Sequence, residues 1–265
     1  MISNFHTHTH FCDGKSTPEE VVLSAIQKGF SSLGFSGHGY TDFDLSYCMQ
    51  DIDGYRAEIR RLQEKYKKDI QIYLGVEEDA FCLVDRKQYD YIIGSAHYMR
   101  FGKRYFAVDG YEDLQRCLAR FDHDPVALAE TYYRSFCEYI HFRKPDIIGH
   151  FDLMTKFDEK HTPQFLCNEA YHRIAEQYIA EAAKSGCIFE VNTGAISRGY
   201  RTTPYPHENL LHVLKKQGAR LILSADSHHK DTIDCNFAET KKYLRDMGFT
   251  QLYTLHNGAF IPYDI

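Results

Sequence analysis

Short apolar runs alternate along the chain with longer stretches in which apolar residues recur every three or four positions. The short runs predict strands, and the longer pattern predicts amphipathic helices packed over them. Strands are expected at residues 2–5, 32–36, 70–76, 91–95, 147–149, 187–191 and 220–224, with a last one at 251–255. The first helix opens at Thr17-Pro18-Glu19-Glu20, which reads as a threonine cap, a first-turn proline and a glutamate closing a capping box. Gly29 is its expected stop. Further helices are expected at 51–68, 125–141, 165–184, 207–216 and 232–247. Residues 98–124 fit neither period and are expected to form a lid or helical insertion. Strand–helix alternation of this kind predicts a mainly parallel sheet, open or closed, in a single domain covering residues 1–265.

Hydrophobic residues make up 43% of the 265 positions, enough for a sizeable core. The net charge of −6 lacks the basic footprint of a nucleic-acid binder, so no nucleic-acid partner is expected. The eight cysteines form no Cys-x-x-Cys pair and are expected to be reduced thiols in a cytoplasmic protein. The opening MISNFHTHTH has neither the basic nor the apolar segment of a signal peptide. No run approaches the roughly 18 apolar residues of a membrane span. The oligomeric state leaves no trace in the pattern.

The fifteen histidines change the picture through their positions. His6 and His8 follow the first apolar run, His38 the second, and Glu77, Glu78 and Asp79 the third. His97 follows the fourth and His150 the fifth. Glu190 and Asn192 mark the sixth, and Asp226 and His228 the seventh. In a β/α barrel the C-terminal strand ends converge on one face, so these residues would meet in one cup. Mixed imidazole and carboxylate donors suit zinc, manganese or iron. His6 and His8, two apart in an extended segment, point to the same side, as do Asp226 and His228. Singly, His38, His97 and His150 are each better explained as a turn, core or capping residue than as a ligand; the repetition carries the metal reading. Two decoys fail. Gly34-Phe35-Ser36-Gly37-His38 lacks the final glycine of a nucleophile elbow. His207 and His212 are five apart, which puts them on different sides of a helix.

The ordered motifs HTHTHFCDGK (6–15), SGH (36–38), GVE (75–77), GSAH (94–97), IGHFDL (148–153), EVNTG (190–194), PYP (204–206) and SADSHH (224–229) resemble those of the PHP (polymerase and histidinol phosphatase) superfamily, along nearly the whole chain. The resemblance implies a distorted seven-stranded β/α barrel of TIM-like type with a metal site at the C-terminal ends of the strands. It implies two or three divalent ions (Zn, Mn or Fe). One would take His6, His8, Glu77 and Asp226. A second would share Glu77 and add His97 and His150. A third would take Asp13, His38 and His228. Glu77 is preferred to Glu78 as the third residue of the Gly-x-Glu motif. Asn4 stands where the family usually has aspartate, and many members have histidine at Asp13.

The activity so implied is hydrolysis of a small phosphate monoester, L-histidinol phosphate, by a metal-bridging hydroxide. Arg198, just beyond the sixth run, is the expected phosphate contact. Lys156 and Arg100 are weaker candidates, and Arg104 is expected to be a solvated charge. Asn192 and Glu190 are expected at the imidazole or amine end of the substrate. Asp226 is the expected proton shuttle to the leaving group. The alternatives are another small ester or nucleotide as substrate, an amidohydrolase, or a non-catalytic metal-binding module.

Overall fold

The computed structural model describes residues 1–265. In chain order come β1 (Ser3–Asn4), α1 (Pro18–Gln27), β2 (Ser32–Phe35), α2 (Ile52–Lys65), β3 (Gln71–Asp79) and β4 (Tyr91–Ser95). A hairpin of β5 (Tyr98–Phe101) and β6 (Arg104–Ala107) leads to α3 (Tyr111–Ala119) and α4 (Pro125–Arg143). Then follow β7 (Ile147–Ile148), α5 (Glu169–Ala183), β8 (Ile188–Asn192), the short α6 (Gly194–Ser197), α7 (Glu208–Lys216) and β9 (Leu221–Ser224). The chain ends with α8 (Phe237–Asp246), β10 (Gln251–His256) and β11 (Ala259–Asp264).

The main sheet has the order β1-β2-β3-β4-β7-β8-β9-β10-β11. Every neighbouring pair is parallel except β10–β11. The expected α/β class and mainly parallel sheet are therefore present. Just past β1, the chain is held from both sides. Ser36 N donates to Thr7 O at 3.0 Å, and His8 N donates to Ser227 O at 2.8 Å beyond the end of β9. Asn4 adds to this second contact, its Oδ1 accepting from Ala225 N at 3.0 Å.

Strand alternation sorts the side chains. Outward residues such as Leu33, Phe35, Ile72, Leu74 and Val76 pack with α1 and α2 in one cluster. Ile148, Phe189, Val191, Leu221 and Leu223 join the larger cluster beneath α4, α5 and α7. A third, smaller cluster lies on the other face of the strands and contains Phe5, Tyr73, Tyr91, Ile93, Ile147, Ile188 and Ile222. Two residues further along many of these same strands, the same face turns polar. Tyr91 OH reaches across to donate to Phe5 O at 2.5 Å and lies 3.1 Å from Phe35 O. Gly34 and Gly75 make the room, since a Cβ on either would collide with the Tyr91 ring.

Some boundaries differ from expectation. β3 runs three residues beyond 76, so Glu77 lies within a strand. The last helix begins at Phe237 rather than 232, because Asn236 adopts a left-handed backbone (φ 60°) that a helix cannot contain. Residues 98–124 are a hairpin followed by a helix, not a purely helical insertion.

Candidate metal centre

The polar face at the strand ends gathers His6, His8, Asp13, His38, Glu77, His97, His150, Asp226 and His228, residues up to 222 positions apart in sequence. Glu77 is the hub. Its Oε1 lies 3.0 Å from His150 Nε2 and 3.1 Å from His97 Nε2. Its Oε2 lies 3.0 Å from His38 Nδ1 and 3.1 Å from His6 Nε2. Glu78, one residue on, points to the opposite face and is bound there by Arg143 (2.7 Å) and Tyr139 (2.7 Å). Asp13 bridges His38 (3.6 Å) and His228 (3.2 Å) at the outer edge.

Asp226 adopts a left-handed backbone (φ 47°), which aspartate tolerates better than most residues. Its Oδ1 is then 3.3 Å from His8 Nε2, while its Oδ2 accepts from Arg198 Nη2 at 2.9 Å. Gly194 is needed here. A Cβ at that position would lie 2.7 Å from Asp226 Oδ2 and 2.9 Å from Arg198 Nη2.

Charge balance follows from burial and neighbours. Burial disfavours the ionised form of Glu77, but His6, His97 and His38 outweigh it and hold the carboxyl well below its ordinary value. Burial likewise opposes a charged Asp226, and Arg198 and His6 outweigh it. His8 is pushed down to about 3 by burial and by His228 and His38. The ring is thus neutral at neutral pH, and one of its two nitrogens keeps a lone pair for a cation.

Several of these atoms lack a conventional partner. His6 Nε2, His8 Nε2 and Glu77 Oε2 are buried and accept or donate no hydrogen bond. Leaving that many polar atoms unpaired inside a protein is costly. Four overlapping groups, His8–Asp13–His38–His228, His6–His8–Glu77, His6–His150–Asp226 and His38–Glu77–His97, each bring ligand atoms within 4.8 Å of one another. Such nitrogen and oxygen sets match the donor chemistry of divalent transition metals.

Over this floor opens a cavity of about 340 Å³, walled by Tyr47, Tyr98, Asp44, Asp109, Lys156 and Arg198 among others. Lys156 donates to Asp109 O at 2.9 Å. Three residues lie away from the place the sequence suggests. Glu190 and Asn192 are 1% and 0% exposed and lie beneath the histidines, not in the cavity wall. Arg100 is exposed on β5 with its guanidinium 5.5 Å from the Phe81 ring, outside the cavity wall. Two strand residues past Tyr98, roughly 7 Å, carry it beyond the rim. Asp44, Tyr47 and Asp109 were not anticipated; they sit in or beside loops, where no periodicity marks them. Asp79 had a signal, being two residues from Glu77 on one strand. Its Oδ2 accepts from His97 N at 3.0 Å.

The PHP domain model matches residues 4–194, most of the chain. A protein of Schizosaccharomyces pombe named "Probable histidinol-phosphatase" is 30% identical over 97% of this chain and 90% of its own. The "Histidinol-phosphatase" of Lactococcus lactis is 24% identical over 95% of this chain and 93% of its own. A crystal structure of a putative histidinol phosphatase from Listeria monocytogenes superposes with a TM-score of 0.77 over 90% of this chain and 99% of that one, at 20% identity. The Lactococcus lactis enzyme, solved with zinc, L-histidinol and phosphate, superposes with a TM-score of 0.70 over 98% of both chains, at 21% identity. A family model spanning most of the sequence, a full-length relative and a shared fold lead to one conclusion: this chain belongs to the PHP domain family.

Proposed function

We propose that this chain is a metal-dependent phosphomonoesterase that hydrolyses L-histidinol phosphate to L-histidinol and phosphate. The observation that carries the reading is the buried floor of unpaired imidazole and carboxylate atoms beneath a cavity bearing Arg198 and Lys156. Relatives named histidinol-phosphatase, aligned over 97% and 95% of the chain, support the substrate. We read the seven parallel strands from β1 to β9 in the sheet order as a distorted barrel, joined where the segment after β1 meets the segment after β9, with β10 and β11 lying outside it.

His6, His8, Glu77 and Asp226 would hold one cation. Glu77, His97 and His150 would hold a second, and Asp13, His38 and His228 a third; zinc, manganese and iron fit these donors. When bound, such ions supply a water that ionises near neutral pH and offset phosphoryl charge. Arg198, which lines the cavity with its guanidinium held by Asp226, would contact the phosphoryl oxygens through its remaining N–H groups, and Lys156 adds a second positive charge at the wall. Asp226, at the edge of the cavity, would relay a proton to the departing alkoxide. A cavity of about 340 Å³ suits a small ester and not a polymer. The eight cysteines, none of them disulfide-bonded, suit the reducing cytoplasm.

The test is phosphate release from L-histidinol phosphate, p-nitrophenyl phosphate and a nucleoside monophosphate, before and after chelation. The expected result is a kcat/KM preference for L-histidinol phosphate that disappears with chelator and returns with added metal. Equal rates on all three esters would reject the substrate; chelator-insensitive activity would reject the metal.

A further inference from the structure

We propose that Glu190 is a positioning residue that fixes which nitrogen of His6 is free to bind metal. The proposal rests on the reading of His6 as a ligand. Glu190 stands on β8 and is 1% exposed, with both carboxylate oxygens engaged. His6 Nδ1 donates to Oε1 at 2.6 Å. Oε2 accepts from His150 N at 2.9 Å and from Asn192 Nδ2 at 2.9 Å. Asn192 is itself held, its Oδ1 accepting from Gly194 N at 2.8 Å.

An ionised carboxylate offers no proton, so the proton of the Glu190–His6 bond sits on Nδ1. With Nδ1 so engaged, Nε2 is the nitrogen left to give its lone pair to a cation, and it faces the centre where Glu77 Oε2 is 3.1 Å and Asp226 Oδ1 3.7 Å away. The negative charge also makes the imidazole a stronger donor to a cation. Through His150 N the same side chain ties the end of β7 to the end of β1. One buried carboxylate therefore sets both a tautomer and the spacing between two strand ends that carry histidines. Substrate cannot reach it.

The first measurement is zinc and manganese affinity of the purified protein, by chelator competition, for wild type, Glu190→Gln, Glu190→Asp and His6→Ala. Glu190→Gln keeps the shape but loses the charge. It is expected to weaken the tightest metal about 10–100-fold while the far-ultraviolet circular dichroism is unchanged. Glu190→Asp keeps the charge with a shorter reach and should recover part of the loss. Unchanged affinity in Glu190→Gln, with His6→Ala impaired, would overturn the role of Glu190. Unchanged affinity in His6→Ala would instead overturn the ligand reading beneath it. The second measurement needs no variant: imidazole ¹⁵N spectra of the zinc-loaded wild type. A His6 proton on Nδ1, shifted downfield, is expected; a proton on Nε2 would overturn the proposal.

Discussion

His97 is 6% exposed, with Nε2 3.1 Å from Glu77 and Nδ1 3.3 Å from Asp79. Its ring neighbours are His38, Tyr47 and His150, and His97→Ala is expected to keep the fold and lower kcat at least 100-fold, as loss of a charge-stabilising group does in other sites. Near-normal turnover at full metal content would remove it from the ligand set. Arg198→Ala is expected to raise KM for the ester by about 10–100-fold, the scale of a charge-assisted hydrogen bond, in steady-state kinetics. An unchanged KM would place phosphate elsewhere. Alternation along extended segments made His6 and His8, and the pair Asp226 and His228, readable as neighbours before any coordinates. Depth was not readable. Glu190 and Asn192 obey the same alternation as Glu77, yet β8 places them under the histidines rather than in the cavity. Strand parity states a side chain's face and is silent on its height.

The helix α1 begins with the motif expected of it. Glu20 N donates to Thr17 Oγ1 at 3.3 Å, and Thr17 N donates to Glu20 Oε2 at 2.9 Å. Hydrogen bonds from Thr17 and the charge of Lys230 draw the Glu20 carboxyl from 4.5 down to about 2. A carboxyl lowered on folding stabilises the folded state above its unfolded value and loses that contribution as pH falls through its folded one. Glu20→Gln should therefore unfold at lower urea than wild type at pH 6, and the gap should narrow between pH 4.5 and about 2. A gap that is constant with pH would assign the difference to something other than charge. Other elements were less legible. The β5–β6 hairpin interleaves aromatic and basic residues, which masks the period of two, although Gly102 at its turn has the positive φ (64°) such turns favour. β11 also went unread, despite the Asn257-Gly258 pair between it and β10. Both residues have positive φ, the backbone that a tight hairpin turn requires.

At the scale of the molecule, strand–helix alternation sufficed for a mainly parallel sheet, whereas strand order and the meeting of β1 with the segment after β9 depend on contacts that no local window contains. Tyr91 is one such contact. It stands on β4 and reaches the ends of β1 and β2 at Phe5 and Phe35, buried to 1%. Tyr91→Phe leaves those two carbonyl groups without their shared donor and is expected to cost about 1–3 kcal/mol in urea unfolding, with catalytic constants preserved. A neutral substitution would mean that water or a shifted backbone takes over.

The cavity's two cations already have company: Arg198 is held by Asp226 at 2.9 Å, and Lys156 lies 3.3 Å from Asp109. An arriving anion therefore meets two cations whose charge is already partly offset and must bind through the donors that remain. A monovalent carboxylate gains little from charges so offset. A phosphate dianion, with more charge and three oxygens, gains more. Monocarboxylates would thus be disfavoured by groups that the protein itself carries, and discrimination would precede any chemistry.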